Sequence, residues 1–424
     1  MQLLQLGLAP EEFIWASGIE DTFVPQTRPG HRALDEYALI GHYEHWRSDL
    51  ALARELGVQA LRWGIPWYRV EPQPGVFDWR WTDEVLPYMV EELGIAPILD
   101  LMHYGCPLWL QREFDHSDYP QRVAAYAAAV AERYQHLVQW YTPLNEPMMN
   151  AWMCGQRGVW PPYLKGDRGY VRMMLQLADG IQRTVGAIKA IDPRAVMVHV
   201  DVAGTYHPAD PADDALAVQM NLRTLLCYDL ISGRVGPDHP LWAWLLAHGA
   251  PAARLEGLQN AAIPLDVLGL NFYPQWSTKA VGYNQGGRRS YRPIDKPGAS
   301  FAGLISSYYE RYGAPVMITE TSAKGTEQTR AAWLHSSVRA IRDLRAAGVP
   351  VIGYTWFPMF TMVNWSYRLG GRPWEEYRLE LGLYRLGEDE PEGRWLATPL
   401  VTQFQRLAAD PGRSIGVMPQ LATH

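Results

Sequence analysis

The sequence predicts an α/β protein built as a single (β/α)8 barrel. Three observations lead there. Eight short apolar runs of strand length recur along the 424 residues, helix-like stretches separate them, and polar residues gather where the runs end. Continuous apolar strands suit a parallel sheet covered by helices, and eight strand–helix units suit closure into a barrel. The Gly-rich phosphate turn of a dinucleotide fold is absent after the first run.

In order, the runs are FIWASGIE (13–20), ALRWGIPW (60–67), APILDLMHY (96–104), QWYTPLNE (139–146), AVMVHVDV (195–202), LDVLGLNFY (265–273), PVMITE (315–320) and VIGYTWFP (351–358). Between them, Trp46, Leu50, Ala53 and Leu56 share one helical face ahead of Gly57, and Leu334, Val338, Ile341 and Leu344 share another ahead of Gly348. Longer segments at 148–169, 274–298 and 359–395 each follow a strand, which places them at the barrel face where active sites are built. Length alone would admit two or three domains, but no linker divides the chain, so one domain over 1–424 is expected.

Composition narrows the function. A 48% hydrophobic and 20% charged balance fits a compact globular body. The net charge of -7 argues against nucleic acid or an anionic membrane as partner, though it leaves room for local basic patches. No basic leader precedes the start and no run is long enough to span a bilayer, so a cytoplasmic protein is expected. Cys106, Cys154 and Cys227 are too scattered for a disulfide framework or a CxxC metal site, and His42 and His45 in HYEH do not make an HExxH. Neither spacing points to a metal site.

The strand ends carry the chemistry. Arg62 and Trp63 lie on the second, His103 and Tyr104 on the third, Asn145 and Glu146 on the fourth, Asn271 and Tyr273 on the sixth, Glu320 on the seventh and Trp356 on the eighth. A barrel gathers these ends into one cleft and sets Glu146 across from Glu320. In retaining glycoside hydrolysis one carboxylic acid protonates the leaving oxygen while the other carboxylate attacks the anomeric carbon, at a separation of about 5–5.5 Å. An arginine such as Arg62 beside one of them would keep it ionised, and its charge would raise the pKa of the other. For each glutamate taken singly, an ion pair or a helix cap is as good a reading as catalysis, Pro147 could simply end its strand, and His103 could be a core histidine.

Five stretches in order resemble glycoside hydrolase family 1, the retaining β-glycosidases. TPLNEP resembles that family's T-[FL]-N-E-P, VMITET its I-T-E-N-G, LRWGIPWYRVEP its R-F-S-I-S-W-S-R-I-x-P, LMHYGCPLWL its L-x-H-W-D-L-P-x-W-L, and DVLGLNFY its D-F-[LI]-G-[LI]-N-Y-Y. The resemblance implies Glu146 as acid/base and Glu320 as nucleophile. It implies that Asn145 bonds the sugar 2-hydroxyl, that Arg62 and Tyr273 hold Glu320, that His103 binds a sugar hydroxyl, and that Trp356 floors the first subsite. The expected activity is exo-hydrolysis of terminal β-linked sugars, with a β-glycoside or oligosaccharide as partner, and the resemblance implies neither a metal nor an organic cofactor.

The departures fall on the sugar reader. Gly18 stands where the family has Gln, Asn364 and Trp365 stand for its Glu-Trp pair, Tyr104 for a Trp and Thr321 for an Asn. Glu20, Asp21 or Trp365 are candidates to supply the missing contacts. Arg368 and Arg372 follow the eighth strand, where the phospho-glycosidase branch binds phosphate. Two other readings fit the same residues: a transglycosylase using both carboxylates, and a barrel that binds saccharides or a partner protein without turnover.

Overall fold

The computed structural model describes residues 12–294, 297–387 and 394–409. All eight apolar runs form strands: β1 (Ile14–Gly18), β2 (Ala60–Gly64), β3 (Ala96–Asp100), β4 (Trp140–Thr142), β5 (Val196–Val202), β6 (Val267–Asn271), β7 (Val316–Thr321) and β8 (Val351–Trp356). They pair in sequence order, every pair parallel, and β8 returns to β1 to close the barrel. Small and branched side chains fill its interior, among them Ala16, Ala60, Ile98, Val198, Val267 and Met317. A closed barrel leaves no unpaired edge.

Outside the barrel run α1 (His42–Leu56), α2 (Tyr119–Tyr134), α3 (Gly166–Ile191), α4 (Asp214–Ile231), α5 (Pro297–Tyr312), α6 (Glu327–Ala346) and α7 (Pro399–Ala409). The apolar face of α1 is buried at Trp46, Leu50, Ala53 and Leu56, and the helix stops at Gly57 in the left-handed conformation, φ 82°. In α6 the buried face is Leu334, Val338, Ile341 and Leu344, as the spacing predicts. His42 is a satisfied core histidine: its Nδ1 lies 2.7 Å from Asp49, and its Nε2 accepts from the Trp63 indole at 3.1 Å.

The long segments all lie at the C-terminal ends of the strands, and they hold strands that the sequence reading left out. Thr278–Tyr283 and Arg289–Pro293 form a hairpin that pairs with Thr205–Pro208 as a small sheet outside the barrel. After β8, Met362–Val363 pairs with Arg378–Leu379 and Tyr384–Leu386 with Trp395–Ala397. Residues 388–393 of that segment lie outside the described residues. No helix among the described residues is long and apolar enough to cross a membrane.

Candidate active site

The strand β4 ends at Thr142, and the chain then delivers Asn145 and Glu146 to the barrel mouth. Glu146 adopts a left-handed backbone, φ 44° and ψ 64°, immediately before the short helix Pro147–Asn150, where Pro147 takes the first helical position. Proline disfavours the right-handed helical region for the residue before it, and a left-handed glutamate costs on the order of 1–3 kcal/mol. Its side chain makes no capping bond to that helix. Asp201 does so instead, accepting from the Met148 amide at 3.1 Å. The helix-cap reading of Glu146 is thereby removed.

Both glutamates are buried, and their partners differ. Glu320 accepts from Arg62 Nη1 at 2.6 Å on one oxygen and from the Tyr273 hydroxyl at 2.7 Å on the other. Glu146 accepts from the Tyr104 hydroxyl and from the Asn271 amide, the latter at 2.9 Å. Asn145 joins the two halves: its Oδ1 accepts from Arg62 Nη2 at 3.0 Å and from Asn271 at 3.2 Å, and its Nδ2 lies 2.8 Å from His103 Nε2. Asp100 takes the remaining strong bond from Arg62.

Burial raises the pKa of both glutamates, that of Glu320 to about 7, and Glu146 pushes Glu320 further up while Arg62 pulls it down. The Arg62 guanidinium bonds only Glu320 of the pair and so favours the ionised form there.

On the other side of Glu320, the neighbouring carboxylates gather around His103. Its Nδ1 lies 2.7 Å from Asp21 and its Nε2 3.6 Å from Glu20. Burial opposes a charge on this imidazole, but Asp21 and Glu20 outweigh it and raise its pKa. Glu20 holds Thr22 through Oε1, and its Oε2 makes no hydrogen bond to a described residue. Gly64 allows this crowding, since a Cβ there would fall 1.6 Å from the Asp21 carboxylate.

Two expectations need correction. Trp356 does not floor the site: it is fully buried on the outer face of β8, and its indole donates to the Leu381 carbonyl at 3.1 Å. The cause is an extra residue in β8, whose pairing with β7 jumps from Val316 opposite Val351 to Met317 opposite Gly353. The inward ring is Phe357, which lies parallel to His103 at 6.3 Å and under the Arg62 guanidinium at 5.3 Å. Asn364 is exposed, and its Oδ1 accepts from the backbone and hydroxyl of Ser366, which makes it the cap of a 3₁₀ turn. Gly18 does not leave a vacant place for a lost glutamine, because a Cβ there would lie 2.5 Å from the Phe357 ring.

Trp365 is at the site. It meets Tyr104 at 5.5 Å and Trp160 at 5.0 Å, and its buried indole N–H has no described partner. Tyr104 and Asn271 were gathered into the cleft as strand ends but given no role, and Asp100, Trp160 and Phe357 were not assigned to the site. Trp160 and Phe357 carried no strand-end signal.

A buried carboxylate pair at the mouth of a parallel eight-stranded barrel, one member held ionised by arginine, is equipment for cleaving the bond to an anomeric carbon, and it defines a barrel glycoside hydrolase. The sequence profile of glycosyl hydrolase family 1 matches residues 16–285, and the chain belongs to that family. It is a glycoside hydrolase of the retaining β-glycosidase type. Thermostable beta-glucosidase B of Thermobispora bispora is 26% identical over 363 residues, 77% of this chain and 74% of that protein. An aryl-phospho-beta-D-glucosidase of Bacillus subtilis is 23% identical over 363 residues, 76% of each chain. The family 1 β-glucosidase from Thermotoga maritima superposes with a TM-score of 0.80 at 18% identity, covering 95% of this chain and 98% of that one.

Proposed function

We propose that the whole chain acts as one catalytic domain that removes a terminal β-linked sugar, with Glu320 as nucleophile and Glu146 as acid/base. The observation that carries the assignment is the unequal bonding of the pair: Arg62 and Tyr273 on Glu320, Tyr104 and Asn271 on Glu146. In the first step a Glu320 oxygen bonds the anomeric carbon as the glycosidic bond breaks, and the Glu146 proton goes to the leaving oxygen. The ester carries no charge, so the field that held the proton on Glu146 is gone. Glu146, now a carboxylate, takes a proton from water as that water attacks the same carbon, and the sugar leaves with its β configuration retained.

The glycone side is read by Glu20, His103, Asn145 and Trp365, above the Phe357 ring. A free carboxylate oxygen on Glu20 and an unpaired indole N–H on Trp365 can bond sugar hydroxyls, in place of the family's Gln and Glu. A phosphate on this sugar is disfavoured. Arg368 is buried and donates to the carbonyls of Val24, Pro25 and Arg32, while Arg372 pairs with Glu376.

A panel of aryl β-glycosides followed by proton NMR tests the reading. Release of β-sugar first from one of them is expected. Glu320→Ala should abolish turnover of every substrate, whereas Glu146→Ala should lose on the order of 10²–10⁴-fold on poor leaving groups and far less on activated ones. Equal, mild losses in both variants would remove the assigned roles.

A further inference from the structure

Beside the acid/base lies a cavity of about 1130 Å³. That is more room than one sugar ring requires, at the upper end of what small ligands occupy. It starts at the leaving-group side of the site. Met148, two residues past Glu146, lines it, and so does Val202, which stands opposite Asn271 in the β5–β6 register. The outer wall is the small sheet, which contributes Lys279 and Tyr291.

The charge of this lining is one-sided. Arg157, Lys165, Lys279, Arg288 and Arg289 face a single carboxylate, Asp167. Arg289 neutralises that carboxylate with two bonds, of 2.8 and 2.6 Å. Arg157, Lys165 and Arg288 stand exposed at the rim, and no ion pair links them to a described residue. Lys279 is the inner cation. Its amine lies near the Tyr206 ring, 5.7 Å away, in the field of Glu146, and has neither a hydrogen bond nor a salt bridge to any described residue. An amine kept at the inner end of a half-apolar cavity without a counter-charge is costly unless a ligand supplies one. It is unexpected in a chain with net charge -7.

We infer that the leaving group of the natural substrate carries an anionic oxyacid, a carboxylate or a phosphate, on a body apolar enough to lie against Met148, Trp152 and Tyr291. The inference rests on the proposed hydrolysis and specifies the half of the substrate that departs. Lys279 meets the anion, and the rim arginines and lysine draw it in. Glu146 still gives its proton to the glycosidic oxygen, and the product leaves as an alcohol that keeps its acid group.

The test compares 3-(carboxymethyl)phenyl and 3-(carbamoylmethyl)phenyl β-glycosides, whose phenols are matched in acidity because a methylene insulates the acid, together with the 3-(phosphonomethyl)phenyl analogue. The acid is expected to exceed the amide in kcat/KM by roughly tenfold or more at low salt, a ratio that shrinks at high salt. Lys279→Met should collapse the ratio and Lys279→Arg should keep it. The faster of carboxylate and phosphonate names the oxyacid. Parity of acid and amide in the unmodified chain overturns the inference, and a ratio unchanged in Lys279→Met overturns Lys279 as the contact. If no glycoside turns over, the proposed function fails and calorimetry decides the inference alone: 3-(carboxymethyl)phenol should bind the protein more tightly than its amide, and equal affinity overturns it.

Discussion

Glu320 and Glu146 are the same residue type in one buried cleft, and their difference lies in what touches them. Burial raises the pKa of both, and a charge on Glu146 raises Glu320 further. On the proposed roles Glu320, at about 7, sets the acid limb of kcat/KM, since a nucleophile must be ionised. On the same roles Glu146 keeps its proton while Glu320 titrates, so Glu146→Gln, neutral like the protonated acid, should leave the acid limb in place and remove the alkaline limb that loss of the Glu146 proton sets. Formation of the enzyme ester from an activated aryl glycoside, followed across pH, checks this. An acid limb displaced by about a unit or more, or an alkaline limb that survives, would contradict the roles. Sequence located this pair and Arg62, Asn145 and Tyr273, because each sits at the end of an apolar run. It could not assign the Tyr104 phenol to Glu146, a contact that depends on the left-handed turns at both residues, φ 85° and 44°.

At the level of the strand, β1 and β8 explain why the family's glutamine is missing. Strand β1 brings Gly18 directly against Phe357, and the ring occupies the space that a side chain would need. Gly18→Gln would then not restore a sugar contact. It should destabilise the fold by about 1–3 kcal/mol through overpacking and lower turnover together, as denaturant midpoints and kinetics on the best aryl glycoside would reveal. A gain in kcat/KM with unchanged stability would mean that the ring yields easily. The inward position of Phe357 was not legible, because period-two counting along β8 fails at its extra residue near Gly353. Existence and order of all eight strands were legible, since each is buried on both faces and reads as an unbroken apolar run. The outboard hairpin was overlooked between 274 and 298, where Asn284, Gly286 and Gly287 already marked a turn.

Across the whole molecule, several acids are buried with raised pKa values. Glu113, which accepts from the Cys106 amide at 3.1 Å, takes no part in the proposed chemistry, and burial pushes it from an ordinary 4.5 to about 8. Between those two values the folded chain keeps a proton that the unfolded chain releases, so stability is full below about 4.5 and falls as pH rises toward about 8. Asp21, raised to about 6, and Glu320 act in the same direction. Glu113→Gln keeps an acceptor for Cys106 and removes one titrating group, so the loss of stability between pH 5 and 8 should lessen by up to about 1.4 kcal/mol per pH unit. Thermal midpoints measured across that range decide it, and parallel curves for the two proteins would refute the assignment to Glu113.

The small sheet outside the barrel, joined to it at the ends of β5 and β6, gives the cleft a wall that the closed eight-strand ring does not need for its own pairing. On the proposed reading the residues that grip the sugar sit at the ends of β1, β3 and β4 and after β8, while Lys279, the cation that meets the leaving group, sits on this outboard piece. Mutation can therefore explore one half of the substrate without disturbing the other. In a lineage of such enzymes, new aglycones would be acquired by exchanging a hairpin while the sugar and the stereochemistry are inherited unchanged.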